Sequence, residues 1–331
     1  MARRDTPRAQ LDLFAPARPA DPLADVYADA RRIADALPLG LRFGTSSWAF
    51  PGWEGIVYRD RYTESELAHE GLREYAQHPL LSCVGVDRGY YAPIPAADLA
   101  RYATQLPDGY PCLMKAPASV TSMTLPHGPR GADAKPNPDF LSPERFADEV
   151  LAPIREARFE AHVGAVLLEL PPVTRALRLA PRDFARRLDA LVATVPDDIP
   201  LAVELRDRAL VSDAYVDVLR RRRVAHVYNY WTAMPSIAEQ RRMVPLDALP
   251  FVVARLLLRP GTRYEERREE FKPFDRLVDP DPTMRAEVVA LVREAIEAAI
   301  PAYVLVNNKA EGSSPLTVRE IAALYASGSA R

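Results

Sequence analysis

AVLLELPPVTRALRLAPRDFARRLDALVATVPDDIPLAVEL, residues 165–205, holds one full unit of the pattern that decides the fold. An apolar run at 165–170 leads into a helical pattern over 181–194, and a second apolar run follows at 201–205. Strands joined through a helix lie parallel, because a crossover is needed to bring the chain back to the same end of a sheet. Outward from this unit the rhythm continues both ways. The other predicted strands are LRFGTS (41–46), SCVGVD (82–87), CLMKA (112–116), VAHVY (224–228), FVVARLLL (251–258) and YVLVN (303–307). Helical patterns occupy 64–77, 95–105, 143–158, 213–222, 283–300 and 315–326, with a weaker one near 236–242. Eight strand-helix units, with no Gly-rich dinucleotide fingerprint after the first strand, predict an α/β fold: a single closed (β/α)8 TIM barrel rather than an open doubly wound sheet. Two loops are long, 116–142 and 259–282, and long loops in compact domains are often functional.

Before the barrel, assigned to 39–331, stand a polar tail (1–20), read as flexible, and an N-terminal helix (21–38) with Asp21 as N-cap and Pro22 as first helical residue. The 331 residues are 48% hydrophobic, which excludes global disorder, and the formal charge of -2 excludes a uniformly basic nucleic-acid binder while leaving room for a local basic groove. Two cysteines, Cys83 and Cys112, cannot form a disulfide scaffold and read as buried thiols. No apolar run reaches the roughly 20 residues that span a bilayer, and the Arg-rich start has no apolar segment of a secretory signal. A cytoplasmic protein without membrane attachment is expected.

In such barrels chemistry sits at the carboxyl ends of the strands. The polar residues there are Asp87, Arg88, Lys115, Glu169, Glu204, Arg206, Asn229, Arg259, Asn307, Asn308 and Lys309. A charge inside an apolar run costs free energy unless paired, so Glu169 in VLLELPP and Glu204 in LAVELRD stand out. As a catalytic set, Glu204, Glu169 and Asp87 supply acid-base groups, with Lys115 and Arg206 stabilising developing negative charge. The structural alternative is an ion-pair ring that holds the mouth together. Aromatic residues crowd the same ends: Trp48 and Trp53, Tyr90 and Tyr91, Tyr228 and Trp231. They form either a hydrophobic lid or a stacking platform for sugar rings or bases. Arg259, Asn307, Asn308 and Ser314 complete the candidate ligand contacts, Ser314 because it opens the helix after strand eight, a common phosphate position. The sequence requires no cofactor. No histidine pair has metal-ligand spacing, and a carboxylate-held Mg²⁺ or Mn²⁺ at Asp87, Glu169 and Glu204 is the one metal option.

The blocks GTSSWAFPGWEGIVY, VGVDRGYYAP, PCLMKAPASVT, LLELPP, AVELRD and VNN together resemble the DUF72, or YecE-like, family over about residues 41–327. The resemblance implies a TIM barrel and a site at these blocks, not a reaction. The chain departs from the family's pattern: Asp87 stands where Glu is usual, Glu169 where Gln is usual, Asp207 and Leu210 where His or Asn and Trp are common, and Arg255-Leu256-Leu257-Leu258 where Arg-Leu-His-Gly is expected. In the tail, Gln10-Leu11-Asp12-Leu13-Phe14 resembles the pentapeptide by which bacterial proteins dock on the DNA polymerase III sliding clamp. Three apolar anchors in a tail too polar to bury them suit a docking segment.

Three functions follow. The first is a clamp-recruited hydrolase or phosphodiesterase acting on nucleic acid. The second is an enzyme on a small sugar or sugar phosphate, which treats the tail as incidental. The third is a DNA- or clamp-associated binding protein without chemistry.

Overall fold

The computed structural model describes residues 21–126 and 134–328. Eight parallel strands close into one barrel in sequence order, β1 to β8: Leu41–Thr45, Cys83–Val86, Cys112–Lys115, Val163–Leu170, Leu201–Leu205, Ala225–Tyr230, Val252–Leu256 and Ala302–Val306. Closure is direct, since β1 pairs with β8 over five residues, Leu41↔Ala302 to Thr45↔Val306. The strands carry almost unbroken apolar runs because both faces are covered. One face meets the helices, and the other fills the barrel.

The inward face explains the site. Cys83, Leu113, Ala165, Leu167, Ala202, Ala225, Val227, Val253 and Leu305 form a separate apolar cluster inside the barrel. Side chains on a strand alternate faces, so the next inward position lies two residues on, toward the carboxyl end. Two steps beyond Leu113, Leu167, Ala202 and Val253 stand Lys115, Glu169, Glu204 and Arg255. A charged layer therefore rests directly on an apolar plug.

The N-terminal helix is shorter than its sequence pattern, spanning Ala24–Ala34. Asp21 caps a preceding turn instead: its carboxylate accepts the Leu23 amide at 3.0 Å and its carbonyl accepts the Ala24 amide. β6 runs two residues past its predicted end, to Tyr230, which changes the place of Tyr228. The long loop after β7 folds a helix of its own, Tyr264–Phe271. Cys83 and Cys112 are fully buried and unpaired, and burial pushes both thiols well above the usual range. No described helix is long and apolar enough to cross a membrane.

Candidate active site at the barrel mouth

The charged layer is one continuous lattice. Arg255, fully buried, donates from Nη1 to Glu204 Oε2 at 2.5 Å and from Nη2 to both Asp87 oxygens at 2.8 Å. Arg206 donates from Nε to Glu204 Oε1 at 2.8 Å, and its Nη2 forms an ion pair with Glu169 Oε2 at 2.8 Å. Lys115 Nζ closes the circuit, 2.9 Å from Asp87 Oδ2 and 2.8 Å from Glu169 Oε2. Three carboxylates thus alternate with three cations contributed by β2 to β5 and β7, and the formal charge of the set is zero.

Burial alone would push the Glu204 carboxyl up. Arg255, then Arg206 and Lys115, outweigh it and hold the group at about 2. Asp87 is held below its ordinary value the same way, with burial opposed by Arg255 and Lys115. At neutral pH Glu204 is therefore a fixed anion rather than a proton donor. It presents oriented guanidinium groups to the mouth.

Two aromatic residues cap the lattice. The Tyr90 ring centre lies 5.6 Å from Lys115 Nζ, and the Arg206 guanidinium carbon lies 4.2 Å from the Trp231 ring centre. Gly89 makes the first contact reachable. A Cβ there would sit 2.4 Å from the Lys115 carbonyl oxygen, so only glycine lets the turn after β2 press this closely on β3. Burial, then Glu169, raises the Tyr90 hydroxyl to about 12, so it stays protonated as a donor. Beside Tyr90 a cleft of about 490 Å³ opens between the loops after β2, β3 and β4, walled by Tyr91, Ser122, Thr124, Pro171 and Thr174 among others.

Several sequence-predicted residues stand elsewhere. Trp48 is buried, donates from Nε1 to the Leu67 carbonyl at 2.8 Å and packs edge-on against Tyr102. Trp53 is fully buried and stacks on Tyr58. Both belong to the main core, where they pack against other core residues and offer no exposed face for stacking. Tyr228 lies inside β6, fully buried, and donates to the Val244 carbonyl at 2.6 Å. Being one residue out of phase with Asn229, it faces the outer helices and not the mouth. Asn308 and Ser314 bind each other: Asn308 Oδ1 accepts both the amide and the hydroxyl of Ser314, both residues are buried, and the Asn308 Nδ2 donor has no partner among the described residues. Arg259 pairs with Asp279 at 2.6 Å and braces the loop after β7. Asn307 accepts the Lys309 amide, and Tyr91 stands exposed on the cleft rim. Gln10 to Phe14 lie outside the described residues.

The three carboxylates of the metal option each already face a cation, and among the described residues no group of three His, Cys, Asp or Glu side chains converges to hold a metal ion. Sequence reasoning missed Arg255, the hub of the lattice, and Ser46, whose Oγ lies 3.5 Å from it. The signal was present: Arg255 follows Val253 in FVVARLLL in the same alternating phase as Glu204 in LAVEL.

A family model described as "Protein of unknown function DUF72" matches residues 42–330. The chain belongs to the DUF72 family. Among solved structures, a DUF72 family protein from Enterococcus faecalis is similar at 16% identity and a TM-score of 0.59, covering 87% of this chain and 95% of that one. A second, from Thermotoga maritima, gives 18% identity and a TM-score of 0.56, covering 88% and 99%. These likenesses carry the barrel fold. No curated protein matches the chain. Within the DUF72 barrel, the departures at Asp87 and Glu169 fall on lattice members: Asp87 keeps a carboxylate where Glu is usual, Glu169 adds one where Gln is usual, and both pair with Lys115.

Proposed function

We propose that the DUF72 barrel mouth is the active site of an enzyme acting on a small polyhydroxylated molecule of the sugar or sugar-phosphate class. The observation that carries this reading is the lattice of Asp87, Lys115, Glu169, Arg206, Glu204 and Arg255 beneath Tyr90 and Trp231, beside a cleft of about 490 Å³. Six largely buried charges stabilise a fold less than apolar residues of the same volume would, which favours a functional role. A volume of this size falls in the range of small-molecule sites. Aromatic faces above fixed hydrogen-bond donors suit a ring that is apolar on its faces and hydroxylated on its edges. A lattice of zero formal charge draws a polyanionic backbone weakly, so the nucleic-acid hydrolase ranks below the sugar-class enzyme.

The test is a calorimetric and turnover panel of monosaccharides, sugar phosphates, and single- and double-stranded DNA. A sugar-class ligand should bind and turn over, and Trp231→Ala should weaken its binding by about tenfold, the loss of one stacking contact. Salt-dependent DNA binding with no small-molecule binding would overturn the proposal.

A separate proposal rests on the complete QLDLF match at Gln10 to Phe14. This segment recruits the chain to the sliding clamp of DNA polymerase III, whichever substrate the barrel takes.

A further inference from the structure

Of the 43 Lys and Arg residues only four are lysines: Lys115, Lys135, Lys272 and Lys309. Lys115 is locked between Asp87 and Glu169, Lys272 pairs with Glu269 at the surface, and Lys135 is exposed. Lys309 is different. It follows β8 at the mouth, is 8% exposed, and its Nζ lies 4.3 Å from the centre of the Tyr264 ring, carried over it by the helix Tyr264–Phe271. Among the described residues no hydrogen bond or ion pair holds this ammonium.

An ammonium on a largely buried side chain without an ion-pair partner is costly, and the chain elsewhere prefers arginine. Arginine keeps its proton under all ordinary conditions, whereas lysine can give it up. A lysine retained in this place is the residue that a free amine requires. The charged groups facing it are Asp87 after β2, Lys115 of β3, and Glu265 and Arg268 on the covering helix. Burial is the largest influence and pushes Lys309 down to about 8, with Arg268 and Lys115 adding to it and Asp87 and Glu265 opposing. About a tenth of the side chain is then neutral at pH 7.

We propose that Lys309 is a nucleophilic amine that captures the carbonyl carbon of an open-chain sugar or sugar phosphate as an imine. The inference rests on the sugar-class reading above and deepens it by naming the reacting atoms. The amine lone pair forms the C–N bond while the carbonyl π pair moves to oxygen, and a proton passes from nitrogen to that oxygen. The resulting hydroxyl takes one proton from solvent and leaves as water as the nitrogen lone pair forms C=N. Nothing is oxidised or reduced, and water is the sole product released.

The test uses the full chain with glycolaldehyde and cyanoborohydride, which reduces an imine to a stable amine, followed by peptide mass mapping. At pH 7 the adduct should form at Lys309 at least tenfold faster than at Lys135 or Lys272. Its rate should rise with pH to a plateau above about 8, while labelling at the exposed pair keeps rising toward about 10. Equal or slower labelling at Lys309 would overturn the proposal. Lys309→Arg keeps the charge and should abolish that adduct with the exposed pair still labelled. If this variant does not fold, the pH profile of the unaltered protein decides alone. Calorimetry with a sugar phosphate separates the two readings. Binding without a Lys309 adduct refutes the imine and leaves the sugar-class site standing, whereas an adduct without any sugar-class binding refutes that site and leaves the reactive amine.

Discussion

Replacing Glu204 with Gln keeps the shape of the side chain and removes one negative charge from the lattice. Its partners, Arg255 Nη1 at 2.5 Å and Arg206 Nε at 2.8 Å, then face an amide in a site where Glu204 and Arg255 are fully buried. Three cations are left against two carboxylates. Breaking a buried ion pair costs about 3–5 kcal/mol. For a chain of 331 residues, at about 2.1 cal/mol/K per residue, that corresponds to a melting temperature lowered by roughly 4–7 °C. Arg255 keeps Asp87 at 2.8 Å and a longer contact to Glu169 at 3.6 Å, so the lower half of that range is expected. Glu54→Gln is the control, because Glu54 pairs with Arg61 at 3.1 Å on the surface and such pairs contribute less than about 1 kcal/mol. The double variant Glu204→Gln, Arg255→Met restores equal numbers of charges. It should be less destabilised than the sum of the single variants, by about 1–3 kcal/mol of coupling. Thermal melts of five proteins measure this: the parent, Glu204→Gln, Arg255→Met, the double variant and the Glu54→Gln control. A Glu204→Gln melt indistinguishable from the Glu54→Gln melt would refute the account of the lattice as one coupled charge system.

Three further outcomes are expected. Burial holds His226 at about 3 and His78 at about 4, below the ordinary 6.5, so both take up protons more readily in the unfolded chain. Their stabilising contribution is complete above about 6.5 and is lost as pH falls through about 4. Stability should therefore climb with pH across that window by up to about 3 kcal/mol per unit, and His226→Gln should roughly halve the slope of the melting temperature against pH. Cys83 and Cys112, fully buried with raised thiol values, should react with a thiol reagent only as fast as the protein opens, and immediate labelling in native buffer would contradict their burial. Replacing Leu13 and Phe14 together with Ala should abolish capture by the sliding clamp in a pull-down and leave the melting temperature unchanged. A lowered melt without clamp capture in the parent would mean that these side chains cover the barrel instead.

The fold was legible because its signal is repeated and local. Each strand is an apolar run long enough to cross the barrel once, and each helical stretch between runs supplies the crossover, so errors of one or two residues at the ends leave the topology intact. The charged layer was legible where a charge interrupts such a run, as at Lys115, Glu169 and Glu204, or directly follows it, as at Asp87 and Arg206. Position along a strand proved a weaker guide than phase. Tyr228 and Asn229 are adjacent at the same strand end, yet one faces the outer helices and the other the barrel, and a strand end placed two residues early at 228 concealed this. Trp48 and Trp53 failed for another reason. Their spacing shows that they follow a strand, but whether a loop residue turns inward to bind the loop itself depends on partners distant in sequence, such as Leu67 and Tyr102 for Trp48.

Phase also accounts for Arg255, and it orders the chemistry of the mouth. Leu113, Leu167, Ala202 and Val253 form the apolar floor, and the next inward position on each of their strands is charged. The floor excludes water from below, which strengthens every pair above it and raises the cost of leaving any one of them unpaired. Under that constraint the carboxylates and guanidinium groups must satisfy one another, and they do so at the expense of proton transfer: Glu204 is held ionised, and Arg255 cannot lose its proton. In the proposed enzyme, positioning and electrostatic stabilisation remain for the lattice. There the mobile proton is left to Lys309 beneath Tyr264, outside the lattice, while Tyr90 above Lys115 stays protonated as a donor. Such a division, with a rigid charged base that orients a ligand and one unpaired amine at its edge, makes the two experiments on Glu204 and Lys309 complementary. The first should disturb stability and ligand orientation together. The second should remove a reacting group from a barrel that still folds and still binds.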